Sequence, residues 1–155
     1  MANSSTASKD SEASSLSLEV RRTIRAPRKR VFDAWTQVEE LKRWHAPGPL
    51  TVSLAEIDLR VGGRYRIHMR QPDGVEHRVS GVYREVDPPK RVAYTWSWDG
   101  DHPVKDSVVT LDFIERGDST EVVLRHEGFP NVKERDSHNG GWTSILDKLA
   151  ADVGE

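Results

Sequence analysis

Residues 65–81, YRIHMRQPDGVEHRVSG, decide how the chain is read. Two alternating runs flank Pro72-Asp73-Gly74, which fits a type I turn whose third residue takes the left-handed conformation, giving a three-residue hairpin loop between Gln71 and Val75. Counting outward pairs Met69 with His77, Ile67 with Val79 and Tyr65 with Gly81 on one face. Arg70 with Glu76, His68 with Arg78 and Arg66 with Ser80 fall on the other. The first face is apolar and is expected to be buried.

The alternation extends on both sides of this hairpin. From Leu50 to Gly128 runs of strand character are separated by Gly62-Gly63, Asp87-Pro88-Pro89, Asp99-Gly100 and Gly117-Asp118, which predicts a meander of about six strands. Before it, Leu18 to Ala26 suits a further strand. Val31, Ala34 and Trp35, then Leu41 and Trp44 after a break at Thr36 and Gln37, predict two short helices. After it, Trp142, Ile145, Leu146, Leu149, Ala150 and Val153 form one stripe of a long amphipathic helix. Gly140 and Gly141 are expected to interrupt that helix, at roughly 1 kcal/mol each relative to alanine. The fold class is therefore α+β: seven antiparallel strands, two short helices and a long C-terminal helix.

Composition bounds the function. The 155 residues predict one domain. The 23 basic and 25 acidic side chains nearly cancel, to a formal charge of −2, so no basic field favours nucleic acid. The absence of cysteine removes disulfides, thiolate metal sites and cysteine nucleophiles. No membrane-spanning run or secretory signal is readable, so a cytoplasmic protein without membrane insertion is expected. Seven serines in residues 1–17, with no aromatic side chain, predict a disordered tail ahead of a domain over residues 18–153.

Several motifs, taken in order, carry a resemblance: Arg25-Ala26-Pro27, Val31-Phe32-Asp33-Ala34-Trp35, Val61-Gly62-Gly63-Arg64-Tyr65, Pro72-Asp73-Gly74, Gly81-Val82-Tyr83, Asp87-Pro88-Pro89-Lys90-Arg91, Tyr94-Thr95-Trp96, His126-Glu127-Gly128-Phe129 and Gly141-Trp142. Together they resemble the START-like helix-grip (SRPBCC) superfamily, in the branch similar to the C-terminal domain of the activator of heat shock protein 90 ATPase. The resemblance implies a curved sheet gripping the last helix around a hydrophobic cavity. It also brings in a chaperone as an alternative partner, although the activator has a separate N-terminal domain with no counterpart in these residues.

On that fold the expected function is binding of an apolar or aromatic small molecule. Trp44, Ile67, Met69, Tyr83, Trp96, Trp98, Phe113 and Trp142 are the expected walls, and His77 and His126, both at inward strand positions, the expected polar contacts. An inward histidine acting as acid or base in a cyclase- or hydrolase-type reaction is a further alternative. Gly81 is expected to keep free volume opposite Tyr65. His45, His102 and His138 are read as lying in separate connections or exposed stretches, so neither a metal site nor another cofactor is expected.

Overall fold

The computed structural model describes residues 16–154. Strand β1 (Ser17–Ile24) leads into helices α1 (Arg28–Thr36) and α2 (Val38–Leu41). Six strands follow: β2 (Thr51–Ile57), β3 (Arg64–Arg70), β4 (Glu76–Asp87), β5 (Arg91–Trp98), β6 (Ser107–Arg116) and β7 (Ser119–Glu127). Helix α3 (Val132–Val153) closes the chain. The strands make one antiparallel sheet in the order β1-β7-β6-β5-β4-β3-β2. Every step from β2 to β7 is a neighbour-to-neighbour meander, while β1 joins the far edge by pairing with β7.

The β3–β4 hairpin has the register counted from its turn: Met69 opposes His77, Ile67 opposes Val79 and Tyr65 opposes Gly81. Gly74 adopts φ 95°, and the turn is closed by Gln71 N–H donating to the Val75 carbonyl at 2.8 Å. Tyr65, Ile67, Met69 and Val79 are buried, so the apolar face is the inner one. Irregular pairing between Val52 and Leu54 and between Tyr83 and Glu85 adds the local bends that let the sheet curve.

Gln37, extended at φ −103° and ψ 129°, separates the two short helices. α1 lies on the inner face of the sheet through Phe32, whose ring meets Phe113 edge-on at 5.4 Å, and through Trp35, whose indole N–H donates to the Tyr94 hydroxyl at 3.1 Å. α3 starts at Asn131, whose side chain accepts from the Glu134 N–H at 2.9 Å, and buries Trp142, Ile145, Leu146 and Leu149. The helix runs without interruption through Gly140 and Gly141, contrary to the expectation of a break there. Its other turns carry the two residues, so the glycines lower propensity without stopping it.

The expected Ser-rich tail over residues 1–17 lies outside the described residues as far as residue 15, and Ser17 already pairs with Glu127. The free volume expected at Gly81 is not there. A Cβ at this position would stand 1.9 Å from the Thr95 carbonyl oxygen and 2.7 Å from Cε2 of Tyr65. The Tyr65 ring fills the space, held by its hydroxyl donating to that same carbonyl at 2.6 Å. Gly81 is thus a close-approach position.

Candidate functional site

The inner face is rich in aromatic rings, and at one end they stop short of filling it. A cleft of about 180 Å³ opens there between the first half of α3, the end of β5 and the β3–β4 hairpin. Met69, Trp96, Trp98, Trp142 and Ile145 form its apolar surface, with Pro47, His77, His102, Glu134, Ser137, His138 and Gly141 completing it. The Trp96 ring lies 4.8 Å from Trp142 and meets Trp98 edge-on at 5.4 Å. Strand phase explains the series: positions 92, 94, 96 and 98 all face inward, and Trp98, at the strand end, emerges half-buried at the rim. Gly141 gives the helix a bare spot, because the nearest atom to a Cβ there would be Cβ of Pro47 at 3.9 Å.

Five of the ten residues expected at the site line this cleft: Met69, His77, Trp96, Trp98 and Trp142. The other five lie elsewhere. Ile67 and Tyr83 face a void of about 10 Å³, no larger than one water needs. Phe113 packs on Phe32, and Trp44 borders a separate depression near Lys148. His126 is fully buried in a bonded network and does not line the cleft.

That network fixes the His126 proton. The Trp142 indole can only donate, so Nδ1 of His126, 2.9 Å away, accepts, and the proton sits on Nε2 facing Oγ of Ser107 at 2.8 Å. Ser107 in turn donates to the Trp96 carbonyl at 2.7 Å. Burial pushes the His126 pKa well down, and the nearby His138 acts in the same direction. The ring is a neutral core bond-maker with no free nitrogen for acid–base work. His77 is exposed at the mouth, with Nε2 against Oε1 of Gln71.

His102 and His138, expected in unrelated stretches, are brought together at the cleft, with ring centroids 6.4 Å apart. Nε2 of His138 accepts from the Trp98 indole at 2.9 Å, so Nδ1 carries the proton and donates to the Glu134 carbonyl at 2.8 Å. Nδ1 of His102 accepts from the Val104 N–H at 3.1 Å. Burial lowers both pKa values, partly offset by Glu134. Among the described residues no group of three His, Asp or Glu side chains could hold a metal ion. Nor is any helix there long and apolar enough to cross a membrane.

The sequence reading gives His45 no place in the core. It lies in the connection between α2 and β2 yet is fully buried, because Leu41, Trp44 and His45 stand at i, i+3 and i+4 and share one inward stripe. That spacing is legible in the sequence; the polar residue type obscured it.

No curated protein matches the sequence. Solved structures do. A protein of Chromobacterium violaceum is 27% identical with a TM-score of 0.84, over 90% of this chain and 97% of that one. An AHSA1 protein of Silicibacter pomeroyi is 27% identical with a TM-score of 0.79, over 88% and 96%. A protein of Nitrosomonas europaea, 24% identical with a TM-score of 0.74 over 87% and 92%, shares the fold. The family model described as activator of Hsp90 ATPase homolog 1-like protein matches residues 25–154, and the chain belongs to that family.

Proposed function

We propose that the protein binds a small apolar or aromatic molecule in the cleft between β5 and α3, with Met69, Trp96, Trp98 and Trp142 as walls and His77 at the mouth. The observation that carries this reading is an aromatic-walled opening of about 180 Å³ beside a bare spot of the last helix, Gly141. Ligand pockets are typically roughly 300–1,000 Å³, so the size favours a single ring over a lipid chain. Flat rings gain most against tryptophan faces, because they replace poorly held water with offset or edge-on contacts. The acid–base alternative loses its buried candidate, since both nitrogens of His126 are already bonded. The chaperone alternative has the family description behind it and no feature of the cleft.

The test is a tryptophan-fluorescence titration with p-cresol of the native protein and of Gly141→Leu. Saturable quenching at micromolar ligand, lost in a Gly141→Leu protein that keeps its thermal midpoint, is the expected result. No saturable change in the native protein overturns the reading.

A further inference from the structure

Among the described residues Glu134 is the one carboxylate in the wall of the cleft, and no lysine or arginine stands there with it. Elsewhere in the fold Glu40, Glu56, Glu76 and Glu121 each lie within 3.2 Å of an arginine. Glu134 has no such partner among the described residues. Nε2 of His102 is 3.8 Å from its Oε1, beyond hydrogen-bond reach. Nor do the histidines of the rim supply a charge: burial lowers the pKa of His102 and His138, so both rings are neutral at pH 7. Lys105 donates to the Trp98 and Gly100 carbonyls and does not line the cleft. The first turn of α3 favours an anion through the helix dipole, but a carboxylate turned to solvent would serve that role equally. The Glu134 side chain is instead only 19% exposed and borders the cleft.

We propose that the cleft selects a cation: a single-ring molecule with a short primary ammonium arm, its ring against Trp96, Trp98 and Trp142 and its ammonium at the Glu134 carboxylate. This assignment deepens the reading of the cleft as a ligand site and rests on it. The walls and the rim act with the same sign. An indole face is electron-rich and attracts a cation, tryptophan more strongly than any other aromatic side chain. Glu134 adds a full negative charge, and its half-burial screens that charge less than open solvent would. An ammonium brings three donors to a carboxylate that has no cationic partner, and bonds between charged groups are the strong ones. An uncharged ring keeps the apolar contact and forgoes the ion pair. An anion is repelled by the carboxylate and by the indole faces alike.

Calorimetric titration of the full chain at pH 7 with benzylammonium, benzyl alcohol and benzoate tests this, because the three share one ring and differ in the charge of a short substituent. Benzylammonium is expected to bind about ten-fold more tightly than benzyl alcohol, the factor one charge-assisted contact supplies, and benzoate least. Added salt should narrow the gap. In Glu134→Gln, which keeps the size of the side chain and removes its charge, the benzylammonium and benzyl alcohol affinities should come within about two-fold of each other. With ¹³C-labelled glutamate the native protein needs no variant: benzylammonium should shift the Glu134 carboxyl carbon and benzyl alcohol should leave it in place. Equal binding of benzylammonium and benzyl alcohol to the native protein overturns this proposal and leaves the cleft as a ligand site. So does a ten-fold preference that survives Glu134→Gln, or tightest binding of benzoate. Binding of none of the three overturns the cleft as a ligand site as well.

Discussion

The indole N–H of Trp142 donates to Nδ1 of His126 across 2.9 Å, tying the last helix to the last strand inside the core. The same imidazole holds Ser107, and Ser107 holds the Trp96 carbonyl, so three bonds in series connect α3, β7, β6 and β5. The result is a rigid inner wall for the cleft. His126→Ala should therefore act on stability: it opens a cavity and strands the Trp142 N–H, for a loss of about 3 kcal/mol in denaturant unfolding. A fully stable variant would contradict the structural role.

Two glycines should respond with opposite signs. Gly81→Ala drives a methyl group into the Thr95 carbonyl and the Tyr65 ring, and should cost about 3 kcal/mol or more. Gly140→Ala meets nothing within 4 Å on the exposed side of a continuous helix, and should add roughly 0.5–1 kcal/mol. Chemical denaturation of both variants decides, and equal effects would contradict the packing described.

Gly74 sits at φ 95° in the hairpin turn, where a side chain is strained whatever the space around it. Gly74→Ala should cost on the order of 1 kcal/mol with the hairpin register retained. Backbone proton contacts between the strands read that register, and contacts shifted by one residue would be contrary to the pairing of Met69 with His77.

Stability should fall as the medium is made mildly acidic. Burial lowers the pKa of His45, His102, His126 and His138. Below about pH 6.5 the unfolded chain therefore takes up protons that the folded chain refuses. The stabilisation is fully present above pH 6.5 and is lost as pH falls through the folded values, amounting to about 3 kcal/mol for His45 alone by pH 4. Glu19, Glu56 and Glu121, held low by hydrogen bonds from arginines, and Glu76, held low first by the Ser53 hydroxyl and then by Arg70 and Arg78, begin to lose their partners only below the ordinary carboxylate range. Urea midpoints between pH 7 and 4.5 should drop steadily, less so in His45→Phe. A flat profile would contradict the buried neutral histidines.

The sequence carried much of the fold because its signals are local. A turn of fixed length sets the β3–β4 register by counting, and the spacing from Trp142 to Val153 sets the face of α3. The site was less legible, since a cleft depends on where side chains end. Strand phase puts Tyr83, Trp96 and Trp98 on one face, yet only the rings near the strand end border open space. The register counted from the turn puts Gly81 opposite Tyr65. Which way the Tyr65 ring falls, and hence whether the glycine leaves room, is settled by the hydrogen bond to Thr95 across the neighbouring strands. His102 and His138 meet only because the β5–β6 connection folds against α3, a long-range contact with no periodic trace. His45 did leave a helical trace, which its polarity concealed.

The most direct measurement is a ¹H–¹⁵N spectrum of the five tryptophan indoles during titration with p-cresol. Trp96, Trp98 and Trp142 line the cleft and should shift together and saturate, with Trp35, bonded to Tyr94 on the far side of Trp142, following weakly. Shifts confined to Trp44, at the separate depression beside Lys148, or no shifts at all, would contradict the cleft as the binding site.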